Sequence, residues 1–326
     1  MKRYILLSAV SALLAGSAVL PAAASDCPGF LPPNDLKIPV GSAQDRGILE
    51  AQFNKVIDTI EKIYKPVVAA QGRVLQINRL WTNATVNANA SQSGNKDVLN
   101  MYGGLARHEA VTMDGFALVV CHELGHHLGG APKEGGWASI EGEADYYANL
   151  KCLRQVFADS SSKSFTGPTE VDPVAKKYCD AAFYGPGDQA ICLRAAMAAK
   201  SVSALFKALH NDTVDPSFDT PDPSVVTAMF TDHPATQCRM DTYLAGSLCT
   251  RPVSAPLSNT DTAAGACTRS GGFPGGFRPL CWYKPADPAE LLPPGSRAFG
   301  EGAELPAVFS VLRGPIPWNG SSPVTR

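Results

Sequence analysis

The sequence TMDGFALVVCHELGHHL, residues 112–128, decides the fold. Thr112 is a favourable N-cap residue, because its hydroxyl can accept a hydrogen bond from a free N–H of the first helical turn. Apolar residues recur on most sides of residues 116–128, which predicts a buried helix. A Gly-Gly pair followed by Pro132 is typical of a helix end. The other segments are expected to pack around this helix.

The pentapeptide HELGH at residues 122–126 carries the chemistry of this helix. His122 and His126 are four residues apart, so both imidazoles lie on one face, one turn apart, where they can bind one Zn²⁺. Glu123 adjoins the first of them and is placed to act as general base on a water activated by the metal. A polar turn on a surface helix is the alternative interpretation. The apolar flanks favour the buried site, because buried ionisable groups need partners.

A catalytic zinc site also needs a third protein ligand. One class of zinc peptidase has a histidine six residues after the second ligand, but Pro132 occupies that position. The stretch EGEAD at residues 141–145 offers carboxylates instead. Glu141 and Asp145 share a helix face, so Glu141 can bind zinc while Asp145 accepts a hydrogen bond from the far nitrogen of a ligand histidine. Glu143 is the competing ligand, and an acidic start of a solvated helix is the non-functional alternative.

Three segments in this order resemble the HtpX-like and CAAX-prenyl-protease-like zinc metallopeptidases, which are gluzincins. The three segments are HELGH at 122–126, EGEAD at 141–145 and DHPATQCR at 232–239. The sequences VNA at 86–88 and GGL at 103–105 also resemble the region of that family where substrate meets the edge of the sheet. The resemblance covers about residues 70–245 and implies a zincin-like fold.

The resemblance also implies the roles of the site residues. It implies one zinc ion per chain with three ligands, His122, His126 and Glu141. Glu123 would be the general base, and His233 would lie near the zinc, where it stabilises the transition state or serves as a switchable ligand. Asp145 would support a ligand histidine, with Arg239 as its structural partner. A protein or peptide substrate would lie along the sheet edge as an added strand.

The N-terminal 24 residues predict a secretory signal. A basic start precedes an apolar stretch, and alanines at 22–24 offer a cleavage site, so the mature chain is expected to begin at Ser25. Cys27 raises the alternative of a lipoprotein, but Asp26 stands where a lipidation signal needs a small residue. No later stretch is long and apolar enough to span a bilayer. The protein is therefore expected to be exported, to the periplasm or the extracellular space.

All nine cysteines lie beyond the predicted signal. An oxidising compartment favours disulfides, and the odd number leaves at least one thiol outside an internal pair. Cys121, beside His122, is the expected odd thiol. Although the sequence does not fix the connectivity, proximity suggests three pairs: Cys179 with Cys192, Cys238 with Cys249, and Cys267 with Cys281.

The hydrophobic pattern predicts an α+β fold in which a small sheet packs on the HExxH helix and a mostly helical part follows. The metallopeptidase domain is expected to span residues 25–250, and a Pro/Gly-rich extension clipped by a disulfide is expected at 251–326. Strands are predicted at residues 73–80, 84–89 and 97–102. Further helices are predicted at residues 43–65, 139–157, 173–183, 189–209, 225–230 and 235–244.

The sequence therefore predicts a zinc metalloendopeptidase. Its formal net charge of −2 offers no basic surface for nucleic acid. The first alternative is a zinc-binding, chaperone-like protein without turnover, although the presence of Glu123 argues against it. The second alternative is a structural, disulfide-linked envelope protein in which the motif is coincidental.

Overall fold

The computed structural model describes residue 27, residues 29–133 and residues 136–291, without the side chains of 288 and 289. The predicted signal at 1–24 and the chain after 291 lie outside the described residues. The fold is α+β, as predicted. Among the described residues, no helix combines the length and the apolar character that a bilayer crossing requires.

The first helix, α1 (Glu50–Ala69), packs on the sheet and on the HExxH helix through an apolar face that includes Phe53 and Ile57. The predicted bounds of 43–65 were wrong at both ends. The chain before Glu50 is not helical, because Gly47 and Ile48 hydrogen-bond to the backbone after β3 instead. The helix also continues one turn past Pro66, since Ala70 N–H closes that turn on the Pro66 carbonyl and buries Val68.

The sheet has the strand order β1-β3-β2 among the described residues. Strand β1 (Val74–Leu80) runs parallel to β3 (Lys96–Tyr102), and β2 (Ala88–Ser93) runs antiparallel to β3. The second strand was predicted four residues too early, because the turn that pairs Ser93 with Lys96 sets the register of the hairpin. Residues 84–86 instead pair with residues 36–38 of the Pro/Gly-rich stretch at 26–41, here called the lead-in. Both β2 and β3 contact the HExxH helix, which confirms the predicted packing.

The HExxH helix is α3 (Met113–Leu128), and it follows the short helix α2 (Gly103–Ala106). The Thr112 hydroxyl accepts a hydrogen bond from Gly115 N–H, as the predicted N-cap requires. The residues of α3 from Met113 to His126 are all buried, so this helix is the centre of the molecule. The ionisable side chains on it are therefore held away from water.

The helical part surrounds α3. Helix α4 (Glu141–Tyr147) continues through a π-helical turn (Ala148–Cys152) into α5 (Leu153–Ala158), where one helix was predicted. Helices α6 (Pro173–Ala182), α7 (Pro186–His210) and α8 (Thr236–Leu248) follow. The helix predicted at 225–230 was wrong, because Val226 and Phe230 donate backbone hydrogen bonds to Leu280 and Trp282 of the C-terminal extension.

The described part of the C-terminal extension, residues 251–291, is mostly irregular, as predicted. This segment nevertheless contributes buried side chains that pack against α4 and α8. Trp282 is fully buried, and its indole N–H donates to the Thr242 hydroxyl on α8. The Tyr146 hydroxyl on α4 donates to the Gly276 carbonyl. This segment therefore supports the position of α4.

Four disulfides join eight of the cysteines among the described residues: Cys121–Cys152, Cys179–Cys192, Cys238–Cys281 and Cys249–Cys267. The predicted pair Cys179–Cys192 is confirmed, and the other two predicted pairs were wrong. Helix α8 separates Cys238 from Cys249 by roughly 16 Å, which no disulfide can span. Cys121 was also a wrong choice for the odd thiol, since it links α3 to the π-helical turn. The ninth cysteine, Cys27, is buried.

Candidate metal centre

Two neighbouring helices bring three predicted ligands together. His122 Nε2 lies 3.3 Å from Glu141 Oε2, and His126 Nε2 lies 3.5 Å from Glu141 Oε1. Ligands at zinc distances of about 2.0–2.1 Å in a tetrahedron are about 3.3–3.4 Å apart. The close approach of α4 depends on Gly125, because a Cβ at this position would lie 2.8 Å from the Ala144 backbone. The three side chains are thus spaced to hold one small cation.

The ligand atoms that face one another in this cluster lack hydrogen bonds within the part of the chain that the structure describes. His122 Nε2, His126 Nε2 and both Glu141 carboxylate oxygens are buried and make no hydrogen bond to any described residue. Buried polar atoms in folded proteins are nearly always hydrogen-bonded. Two nitrogens and a carboxylate are a donor set that suits zinc. The cluster could therefore hold a metal ion.

The far side of each imidazole fixes its orientation. His126 Nδ1 lies 2.8 Å from the Ser139 carbonyl, which can only accept, so Nδ1 carries the hydrogen and Nε2 keeps a lone pair. Burial lowers the pKa of His126 to about 4, which keeps the ring neutral. His122 Nδ1 lies 2.7 Å from Asp145 Oδ1. Burial alone would lower the pKa of His122, but the Asp145 carboxylate outweighs burial and raises it to about 9.

Asp145 is the centre of a buried network, as its shared face with Glu141 predicts. Arg239 Nε and Nη2 donate to its two oxygens at 2.7 and 2.8 Å, and the Tyr243 hydroxyl donates at 2.5 Å. Burial would raise the pKa of Asp145, but the charges of Arg239 and His122 hold it well below its usual range. The network fixes the His122 ring through a carboxylate that stays ionised.

Glu143 lies on the opposite side of α4, away from the cluster. Arg278 of the C-terminal extension donates to its two oxygens at 2.5 and 2.7 Å, and both side chains are buried. Arg278 also donates to the Thr262 carbonyl. The competing third ligand is therefore engaged in a bidentate ion pair. Sequence reasoning missed this pair, because Arg278 follows Glu143 by 135 residues in an irregular segment.

The two distal residues that the resemblance implies also reach the cluster. His233 Nε2 lies 3.6 Å from Glu141 Oε2, and Arg239 Nη2 lies 3.8 Å from the same oxygen. His233 Nδ1 lies 2.9 Å from Asp232 Oδ1, which orients the ring. The segment at 232–239 and α4 thus converge on the same carboxylate.

Glu123 is fully buried beside His122, and among the described residues neither of its oxygens finds a hydrogen-bond partner. Burial raises the pKa of Glu123 to about 8, against the opposing charge of His122. A carboxylate held next to the ligand cluster with free oxygens can exchange a proton with a molecule bound there. His127 has a different role, since its ring stacks on Trp137 and lies 3.2 Å from Asp97.

Comparison of the chain with protein-family models, with curated proteins and with solved structures gave no match. The inference about function therefore depends on the geometry of the centre.

Sequence reasoning missed one further group of residues at the centre. The Phe30 ring, fully buried, lies 4.9 Å from the His122 ring, and His233 Nε2 lies 2.6 Å from the Gly29 carbonyl. These residues belong to a Pro/Gly-rich lead-in that has no periodic pattern. Its length and composition gave no signal that it lies against the metal centre.

Proposed function

We propose that this chain is a zinc-dependent metalloendopeptidase. The observation that carries the proposal is the set of buried atoms on His122, His126 and Glu141 that lack hydrogen bonds to the described residues, with the Glu123 carboxylate in the same condition beside them. A structural zinc site would use four protein ligands, whereas a catalytic site keeps three and leaves a position for water. The cluster supplies three ligands and an adjacent acid–base group.

The residues divide the work of peptide hydrolysis. Bound zinc would supply the Lewis acidity that activates water and polarises the peptide carbonyl. Glu123 takes the proton of the attacking water and then delivers a proton to the leaving amine. His233 can donate from Nε2 to the oxygen on which negative charge develops. Asp145 and Arg239 hold the His122 ring in place.

The disulfides support an exported location for this enzyme. Four disulfides are expected in an oxidising compartment, such as the periplasm or the extracellular space, and not in a reducing cytosol. We include in the proposal that residues 1–24 direct export and that the substrate is a protein or peptide of that compartment.

The test combines zinc content with hydrolysis. The wild-type chain should bind about one zinc, measured by elemental analysis after dialysis. Glu123→Gln should keep the zinc and lose about 10²–10⁴-fold in the rate of hydrolysis of unfolded casein and quenched peptides. Glu109→Gln, a change at an exposed carboxylate, is the matched control and should equal wild type.

Two results would overturn the proposal. One is a wild-type chain that retains no zinc. The other is a Glu123→Gln variant that hydrolyses peptides as fast as wild type. Zinc bound at full occupancy, with no hydrolysis by any variant, would favour the zinc-binding, chaperone-like alternative.

A further inference from the structure

A short part of the lead-in runs along the outer edge of β2. Cys27 N–H donates to the Ala90 carbonyl at 3.0 Å, and Phe30 N–H donates to the Ala88 carbonyl at 2.8 Å. The residue numbers rise along the lead-in as they fall along β2, so the two segments are antiparallel. Residues 29–31 are irregular and do not form a fourth strand of the sheet; they are here called the lead-in strand because of this backbone pairing, and they lie along the sheet edge nearest α3.

Two side chains that approach Glu141 also hold this strand. The Gly29 carbonyl accepts from His233 Nε2 at 2.6 Å, and the Phe30 carbonyl accepts from Arg239 Nη1 at 2.8 Å. His233 and Arg239 both also approach Glu141. If this strand had only a structural role, its backbone hydrogen bonds to β2 would be sufficient to hold it. This strand also takes up the donor that the proposed reaction assigns to the substrate.

The side chain of Phe30 fills a pocket against the metal centre. Its ring lies edge-on to His122 at 4.9 Å, 5.2 Å from the Phe206 ring, and beneath the Arg239 guanidinium at 4.8 Å. Apolar and cation–π contacts of this kind select an aromatic side chain. The pocket is therefore shaped for a residue like Phe30 directly after the carbonyl that His233 contacts.

Asn87 clamps the residue that follows. Its Nδ2 donates to the Leu31 carbonyl, and its Oδ1 accepts from Leu31 N–H, both at 3.0 Å. The same amide also crowds Gly29, two residues before Leu31, since a Cβ on Gly29 would lie 2.6 Å from Asn87 Nδ2 and would force the Asn87 side chain to shift. Asn87 thus binds the backbone of Leu31 in an extended chain and disfavours a side chain at position 29.

We infer that the lead-in strand occupies the substrate cleft as an internal pseudosubstrate, and that the cleft takes extended peptides with a glycine followed by an aromatic residue. The inference deepens the proposed function and rests on it. Main-chain pairing with an open sheet edge gives affinity for any extended peptide, and the pockets give selectivity. While the strand is in place the centre is closed, with the His122 and His126 side chains at most 2% exposed.

The rate at which a chelator removes zinc tests whether the strand closes the cleft, and it does not depend on turnover. Phe30→Ala empties the pocket, and Asn87→Ala removes the clamp. Each should speed zinc removal by EDTA about tenfold or more relative to the full-length wild type, because loss of these contacts raises the open fraction. Ile38→Ala is the matched control, since Ile38 is a buried residue of the same lead-in that pairs with Ala84 instead of β2.

A synthetic peptide tests the selectivity of the pocket. The peptide has the sequence of residues 26–34 with Cys27→Ser, so that no thiol competes for zinc. Added to the Phe30→Ala chain, it should slow zinc removal back toward the wild-type rate and inhibit hydrolysis competitively. The same peptide with Phe30→Ala should do neither.

The outcomes separate the two proposals. Zinc content and the Glu123→Gln variant decide whether the chain is a zinc peptidase. Equal rates of zinc removal from wild type, Phe30→Ala and Asn87→Ala would overturn the pseudosubstrate inference while the peptidase proposal stands. If Ile38→Ala accelerated zinc removal as much as the two strand variants, the inference would be overturned too, because a general loosening of the fold would explain the faster removal. The inference is supported if Phe30→Ala and Asn87→Ala both lose zinc faster and hydrolyse peptides faster than wild type while Ile38→Ala does not.

Discussion

Glu141 and Glu143 are two residues apart on one helix, and the structure predicts opposite consequences when each is replaced by alanine. Glu143 forms a bidentate ion pair with Arg278, and both side chains are at most 2% exposed. Glu141 makes no hydrogen bond within the described ranges and faces the two histidines. Glu143→Ala should therefore weaken the fold and keep the metal. Glu141→Ala should lose the metal and keep the fold.

The size of the first effect follows from the buried charge. Removing one member of a buried ion pair leaves the other uncompensated and costs about 3–5 kcal/mol. For a chain of this size, with an unfolding entropy of about 2.1 cal/mol/K per residue, that loss lowers the melting temperature by about 4–8 °C. Arg278 keeps its bond to the Thr262 carbonyl, which favours the lower end of the range. The exposed pair of Lys176 and Asp180 is the control, and Asp180→Ala should change stability by less than about 1 kcal/mol.

The second effect is measured on zinc affinity. Loss of a residue that only hydrogen-bonds a metal ligand lowers metal affinity by about 10–100-fold. Because Glu141→Ala removes one of the three ligands themselves, zinc affinity should fall by more than this. In the metal-free protein Glu141→Ala should cost less stability than Glu143→Ala, because the loss of the contacts with His122 and Arg239 is offset by the removal of a buried carboxylate that lacks hydrogen bonds to the described residues. Urea unfolding of the chelator-treated protein gives the stability, and competition with a zinc-binding dye gives the affinity.

One pattern of results would refute this reasoning. If Glu143→Ala abolished zinc binding at unchanged stability while Glu141→Ala retained the metal, the register of α4 would be wrong. A double variant, Glu143→Met with Arg278→Met, supplies a second check. It removes both buried charges, and it should recover much of the stability that Glu143→Ala loses.

Three further predictions concern the surroundings of the centre. Asp145→Asn should lower zinc affinity by about 10–100-fold, measured by chelator competition, because it weakens the hold on His122; an unchanged affinity would contradict that role. Replacing Cys121 and Cys152 by alanine opens a disulfide that spans 31 residues and should lower the unfolding free energy in urea by about 4 kcal/mol, and a loss below about 1 kcal/mol would speak against the disulfide. Burial raises the pKa of Asp241 to about 7, above the about 3.9 of the unfolded chain, so the folded state retains a proton and stability falls as pH rises from about 4 to about 7. Asp241→Asn should flatten that slope in urea unfolding across this range, and an unchanged slope would rule the residue out as its source.

The sequence alone was sufficient to predict the parts of the centre that lie within one helix. The i, i+4 spacing places His122 and His126 on one face whatever surrounds them, and a spacing of two residues places Glu141 and Glu143 on different faces of their helix. The N-cap at Thr112 and the α+β fold class were also predictable, because both depend on neighbours a few residues away in the sequence. The convergence of these segments with His233 and Arg239 was expected only through the resemblance to a known family, and a resemblance carries no distances.

Only the tertiary structure decided which distant segments meet. The prediction placed β2 four residues too early, because the hairpin sets the register of this strand. It also paired two disulfides wrongly, because α8 holds Cys238 and Cys249 too far apart. The partnership of Glu143 with Arg278 and the course of the lead-in strand past His122 join residues separated by about a hundred positions or more. Such contacts leave no periodic trace in the sequence, because burial and pairing across the fold depend on how all the elements pack together.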